Sequence, residues 1–467
     1  MAQVLCATAN RHPASTRRRR LLIGAATTPV LWATAGDACA AGHAQALLIG
    51  NTSYNPTGED IAPARKCIRE LDLRLKQLGY DVVALHDPPI AQVRGELESL
   101  QRAVTTDPTT TTVFYFVGHG FQSNSENFVL PAGGNLNDAP EQLAKQCISL
   151  EREVFSRLKR PLGPVASVIM IDACRTPDRP KLAIEGYNQT IPPEGCHVAF
   201  STGPGKRAFA PNDPNRFTLF TEALVAELEG SQPTTSIYLT LERVRAKVSK
   251  QVNSIETIVR IFGPNAQEPE LASNVRGDPT WIAGADPLQT ASSPGSPSEA
   301  VNGGSVKAEL EAIRALNSPQ DAAARLKQLL ERMPPDDQAD VARLRLKDLE
   351  VVLDAARMAR LDPDISDFVA GRAPAVVEDA RRALRGDKYA ALRVAETLPR
   401  PSNNELIERT EYGKWMIFSA YLGNGIAAWR LSEHFKNIDR RDAEASRYLN
   451  LARANHYTAP RQLGAGR

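Results

Sequence analysis

At 467 residues, with 42% hydrophobic and 24% charged side chains, the chain is long enough to bury a core in two or three domains. Its formal net charge is only +2, so no global basic field points to nucleic acid or an anionic membrane as the main partner. A protein or peptide partner is expected instead.

The chain begins with a basic stretch. Residues 17–40, RRRRLLIGAATTPVLWATAGDACA, place Arg17 to Arg20 before a short, weakly apolar segment and end in Ala38-Cys39-Ala40, a small-residue cleavage signal. No apolar run reaches the roughly 18 residues that a membrane-spanning helix needs. The stretch resembles a bacterial twin-arginine export signal, which implies a periplasmic or secreted mature protein. A disordered basic tail on a cytoplasmic protein, an uncleaved anchor and an organellar transit peptide are the alternatives. Cleavage after Ala40 would leave Cys67, Cys147, Cys174 and Cys196, with no CxxC spacing to argue for zinc. In an oxidising compartment a disulfide among these is open, and its pairing is not fixed by the sequence.

From residue 46 strand-like and helix-like segments alternate, the pattern of a parallel sheet with crossover helices. QALLIG (45–50) is a first strand, and Ile68, Leu71, Leu75 and Leu78 share one helical face that Gly79 ends. YDVVAL (80–85) is the second strand, followed by a helix with Val93, Leu97, Leu100 and Val104 aligned. TTTVFYFVGHG (110–120) is the third strand and breaks at two glycines. A short helix around 151–159 leads to ASVIMIDAC (166–174), and CHVAFST (196–202) is the fifth strand. Continuous apolar runs predict that both sheet faces are covered. Two amphipathic helices follow, carrying Phe217, Phe220, Leu224 and Leu228, then Ile237, Leu241, Val244 and Val248. The α/β domain is therefore placed at 41–283, after the leader at 1–40.

Residues 284–306 are rich in Gly, Pro, Ser and Ala without periodicity and read as a flexible linker. Beyond it, 307–467 is helical in pattern, with periodic segments near 307–316, 320–333, 337–360 and 374–397. The part near 383–457 resembles short Sel-type tetratricopeptide-like repeats, through Gly423, Gly425, Ala427 and Ala428 and then Ala443, Tyr448, Leu449 and Ala452. A plain helical bundle fits the same pattern.

The chemistry-bearing residues sit at strand ends. Strand three ends in FVGHGF and strand four in IDACR, so His119 and Cys174 are expected at one edge of a parallel sheet, where loops gather functional groups on a rigid base. A histidine beside a cysteine supports a thiolate nucleophile and later protonates a leaving amine, the two tasks of amide hydrolysis. No G-x-S-x-G elbow offers a serine instead.

The order, spacing and local sequence of these segments, together with AFSTGPGKRAF (199–209) and FTLFTEALVAELEG (217–230), resemble the caspase and metacaspase family of cysteine peptidases, especially its bacterial members, over about residues 45–275. The resemblance implies a caspase-like α/β fold, a mostly parallel sheet flanked by helices, here followed by an all-α region. Carried over by position, it makes His119 the general acid/base, Cys174 the nucleophile, and the backbone N–H groups of Gly120 and Cys174 the oxyanion hole. Asp172, two residues before Cys174, stands where metacaspases carry the aspartate that holds a substrate Arg or Lys; its alternative is a turn-capping role. The family's second pocket carboxylate falls on Lys66-Cys67-Ile68, which leaves Glu59 or Asp60 as candidates to replace it. Arg175, Asp178 and Arg179 read as loop residues in surface ion pairs, and 203–216 as a substrate-lining loop or an ordinary connection.

The expected activity is therefore that of a cysteine endopeptidase cleaving protein or peptide substrates after Arg or Lys. No metal or organic cofactor is required; a Ca²⁺ effect is permitted by the resemblance, although no D-x-D-x-D-G loop is present. The competing reading is a catalytically weak or inactive adaptor that binds partners through its helical half.

Overall fold

The protein is described by a computed structural model over residues 43–54, 60–123, 126–135, 142, 145–175, 189–283, 306, 308–310, 312–402 and 405–457. The leader at 1–40 and all but one residue of the linker at 284–306 lie outside these residues.

The apolar, β-branched runs form strands β1 (Ala44–Gly50), β2 (Asp81–His86) and β3 (Thr111–Val117), joined by helices α1 (Ala64–Gln77) and α2 (Ile90–Thr106). Two four-residue strands follow, β4 (Gly120–Ser123) and β5 (Glu126–Val129), then the two-residue β6 (Ile148–Ser149). A π-helical turn over Leu150–Phe155 leads to β7 (Ser167–Asp172) and β8 (Cys196–Phe200). Helices α3 (Leu219–Glu229), α4 (Ile237–Ser254) and α5 (Glu256–Phe262) precede β9 (Glu270–Asn274).

Six strands make one sheet in the order β2-β1-β3-β7-β8-β9, all parallel except β9, which runs antiparallel to β8. Alternate side chains of each strand point to opposite faces. On one face Leu47, Phe114 and Ile169 pack against Val93, Leu97 and Leu100 of α2. On the other, Leu48, Tyr115 and Met170 pack against Ile68 and Leu71 of α1, Phe220 of α3 and Val244 of α4. Both faces are buried, as the continuous apolar runs predict. The second sheet, β4-β5-β6, is antiparallel and was not among the expected elements: its strands of two to four residues are too short to show alternation. β9, with Glu270 and Asn274 at its ends, likewise lacks an apolar pattern.

Beyond β9 the main elements among the described residues are helices: α6 (Pro319–Leu330), α7 (Asp337–Ala359), α8 (Pro374–Ala383), α9 (Lys388–Glu396), α10 (Glu411–Tyr421), α11 (Gly425–Asn437) and α12 (Asp442–Ala454), the helical half of the chain. The single segment expected over 374–397 is two helices. Gly386 takes φ +95°, and the Asp387 carboxylate accepts from the Tyr389 and Ala390 N–H groups at 3.0 Å, stopping one helix and starting the next. Among the described residues no helix is long and apolar enough to cross a membrane.

The helical half packs into the same compact unit as the sheet; α4 joins α7 through the Arg245–Asp348 and Arg345–Glu242 pairs, and β9 is a second line of attachment. Arg393 donates to the Ser273 carbonyl at 3.1 Å and to Asn274 Oδ1 at 3.3 Å, and Arg382 donates to the Val275 carbonyl at 2.8 Å. Arg382 is itself buried and paired with Asp387 at 2.8 Å, so its charge is matched where water is absent.

His197 of β8 lies opposite Ser273 of β9, with Nδ1 2.5 Å from the serine Oγ and the ring fully buried. Burial, with the Arg382 charge adding to it, pushes the imidazole pKa down to about 3. The unfolded chain takes up this proton as pH falls through about 6.5, the folded chain only near 3. Stability present above about pH 6.5 is therefore lost on acidification, by at most about 1.4 kcal/mol per pH unit from this group. Denaturant unfolding across that window should show a steeper acid loss in wild type than in His197→Asn, and equal slopes would remove His197 as the cause.

Candidate active site

The site is built at the carboxyl ends of β3 and β7. Val117 pairs with Asp172, and the Gly118 N–H donates to the Asp172 carbonyl at 3.3 Å, so the next residues of both strands leave the sheet together. His119 follows from β3 and Cys174 from β7, and both are half-buried. Gly120 closes the gap: a Cβ placed there would lie 2.9 Å from the Ala173 Cβ and 3.0 Å from the Cys174 carbonyl oxygen. Only a glycine lets the histidine segment lie this close to the cysteine peptide.

His119 is held from behind by Tyr54, which the sequence did not single out. The Tyr54 hydroxyl accepts from the His119 N–H at 2.9 Å and donates to the Leu130 carbonyl at 3.2 Å. The two rings meet edge to face with centroids 4.5 Å apart. A Cβ on Gly118 would lie 2.4 Å from the Tyr54 oxygen, so the first glycine of GHG makes room for this support. Its only trace in the sequence is a tyrosine in the loop after β1, at the edge where β3 also ends. Asp60 accepts from the Tyr54 N–H at 3.0 Å and thereby shapes the same loop; Glu59 is outside the described residues.

Cys174 faces the 203–209 loop. The Ala208 N–H donates to the sulfur at 3.4 Å, and the sulfur lies 3.5 Å from the Ala208 carbonyl oxygen. Arg175 bonds the loop on both sides, N–H to the Lys206 carbonyl at 3.1 Å and carbonyl from the Gly205 N–H at 3.3 Å. Residues 205–208 of this segment therefore pack directly against Cys174 and Arg175.

Arg175 corrects the expectation of a surface ion pair. It is 2% exposed, its guanidinium pairs with Glu270 of β9 and lies over the Phe200 ring, and it donates to Thr190 Oγ1 at 3.1 Å. Burial pushes the Glu270 carboxyl up, but Lys388 and Arg175 outweigh it and hold the group below the usual range. Asp178 and Arg179 lie outside the described residues.

Asp172 is 3% exposed. Its carboxylate accepts from Thr218, from Thr221 at 2.7 Å and from Tyr115 at 3.3 Å. Burial raises its pKa against the pull of those hydroxyls. Cys67 lies beside this cluster, its sulfur 3.9 Å from Thr218 Oγ1. Lys66 turns away, donating to the Asn215 carbonyl at 2.7 Å with its ammonium 4.2 Å from the Phe217 ring centre. Among the described residues no three His, Cys, Asp or Glu side chains are grouped to hold a metal ion.

With this geometry, a chain segment from 43 to 278 matches the family model of the caspase domain, and the match stops before the helical half. A comparison with curated proteins finds no match.

Cys67, Cys147 and Cys196 are buried, whereas Cys174 is half-buried. Burial pushes the Cys67 pKa up to about 11, with the Asp172 charge adding to it, and that of Cys196 to about 12, and it raises Cys147 as well. Thiolate is the reactive form. Iodoacetamide at neutral pH should therefore alkylate Cys174 of these four first in the native protein, with the other three modified only after denaturation. Peptide mapping that finds Cys67 or Cys196 modified as fast would contradict this packing.

Proposed function

The chain belongs to the caspase-domain family, whose members are cysteine peptidases acting on proteins or peptides, and we propose that it is an endopeptidase that cuts after Arg or Lys by a His119/Cys174 dyad. The observation that carries this reading is the contact of Gly120 with the Cys174 peptide, which keeps the ends of β3 and β7 together at a half-buried thiol.

In this mechanism His119 takes the Cys174 proton as the sulfur attacks the scissile carbonyl carbon. The Gly120 and Cys174 N–H groups receive the negative oxygen of the tetrahedral intermediate. His119 then gives its proton to the amine nitrogen as the C–N bond breaks, leaving a thioester. Water attacks the thioester with His119 again as base, releasing the carboxylate product and restoring the thiol. Tyr54 supports the histidine by fixing its backbone and one ring edge.

Asp172 supplies the basic preference. A buried carboxylate whose burial resists ionisation gains more from a guanidinium or ammonium partner than an exposed one would. The neutral Cys67 beside it leaves one carboxylate where metacaspases use two, and the hydroxyls of Thr218, Thr221 and Tyr115 already bond it. The margin for Arg or Lys over neutral residues is accordingly modest. The arginine-rich leader is read as directing export to the periplasm or beyond.

A panel of fluorogenic peptides differing only in the residue before the bond, with and without calcium, tests the reading. Arg and Lys peptides should be turned over by wild type and reduced by on the order of 10⁴-fold or more in Cys174→Ala. Asp172→Asn, whose amide oxygen can still accept from a hydroxyl, should lower the Arg and Lys rates about tenfold relative to neutral peptides. Preferred cleavage after Asp would sink the pocket assignment, and no Cys174-dependent turnover would favour the adaptor.

A further inference from the structure

The helical half reaches the catalytic edge through a short stretch after Cys174. Gln189 and Thr190, 7% and 2% exposed, bond four residues of that half. The Gln189 N–H donates to the His456 carbonyl at 2.6 Å. Its side-chain amide donates to the Gly423 carbonyl at 2.8 Å and accepts from the Gly425 N–H at 3.0 Å. The Tyr389 hydroxyl donates to the Thr190 carbonyl.

The same contact continues to the residue next to the sulfur. Thr190 Oγ1 accepts from the Arg175 guanidinium at 3.1 Å, and Glu270, the carboxylate partner of Arg175, is also paired with Lys388 at 3.3 Å. Lys388 and Tyr389 are consecutive at the start of α9, which Asp387 caps. Two adjacent residues of the helical half therefore hold two acceptors of the Arg175 guanidinium: Tyr389 bonds the Thr190 backbone, and Lys388 the Glu270 carboxylate. Arg175 in turn is bonded through its own N–H and carbonyl to the loop that contacts the Cys174 sulfur.

We propose that Lys388 and Tyr389 are positioning residues for Cys174, so that the helical half is part of the catalytic apparatus rather than an appended docking module. This rests on the peptidase reading above. An appended docking module would affect cleavage of folded proteins and leave short peptides alone. A positioning role affects short peptides too, because displacing reacting atoms by a fraction of an ångström lowers the rate whatever the substrate size.

The test uses the full chain and a short Arg peptide, with Tyr389→Phe, Lys388→Met, Lys388→Arg and, as a control in the same half, Arg430→Ala, which breaks the exposed Arg430–Glu396 pair. Tyr389→Phe and Lys388→Met should each lower kcat about tenfold with KM within about twofold. Lys388→Arg should restore most of the rate, and Arg430→Ala should match wild type. Alkylation of Cys174 by iodoacetamide, which needs no turnover, should be changed by a similar factor in the two damaging variants. Wild-type kcat and alkylation rates in both would overturn the proposal, even with a lowered melting temperature. If wild type shows no Cys174-dependent turnover, the peptidase reading fails, and the alkylation rates alone decide for or against the positioning role. Should Tyr389→Phe not fold, the comparison of Lys388→Met with Lys388→Arg carries the same decision.

Discussion

Everything at the site depends on the parallel register of β3 and β7. Pairing Val117 with Asp172 brings the chain out of the sheet at the same level on adjacent strands, and the glycines on either side of His119 convert that level into contact. A slip of one residue would turn His119 and the apolar faces of β3 the wrong way at once. Phe114 and Phe116 are buried against one helical layer and Val113 and Tyr115 against the other, so such a slip is opposed by the burial of several large side chains. Each contributes roughly 1.5–3 kcal/mol. The sheet core thus enforces the geometry of two residues that contribute little to it.

Charge is used differently in the two layers behind the site. Among the described residues no cation is paired with Asp172; it is met by hydroxyls from β3, α3 and the α3 cap, an arrangement that satisfies a carboxylate without an ion pair. Arg175, three residues on, is paired with Glu270, which Lys388 shares, and stacked on Phe200. Removing one member of such a buried pair typically costs about 3–5 kcal/mol because the other charge is stranded. The first group has its oxygens held by neutral hydroxyls, and the second is committed to holding the backbone.

The strands, the helices and the His119 and Cys174 positions were legible because each is encoded locally, in apolar periodicity and in residues at strand ends. What the sequence hid was long-range. Thr218 and Thr221 lie 46 and 49 positions from Asp172, and Glu270 lies 95 from Arg175. Nothing near Arg175 shows that it is buried, so a basic residue beside prolines reads as surface. Tyr54 and the β4-β5-β6 sheet were missed for the related reason that one tyrosine and strands of a few residues carry no period. Gly386 was visible, but α8 and α9 present similar apolar spacing on both sides of it, and only the Asp387 cap shows that the chain turns there.

The arginines on β9 have a consequence for assembly. β9 is a terminal strand, and a terminal strand's outward carbonyls are a template on which another chain can continue the sheet. Here the Ser273 and Val275 carbonyls are already taken by Arg393 and Arg382. Any second molecule adding a strand at that end would have to evict both guanidiniums and unseat the helices that carry them. The helical half therefore acts as a stopper, closing one margin of the sheet to polymerisation and to strand-for-strand pairing between copies.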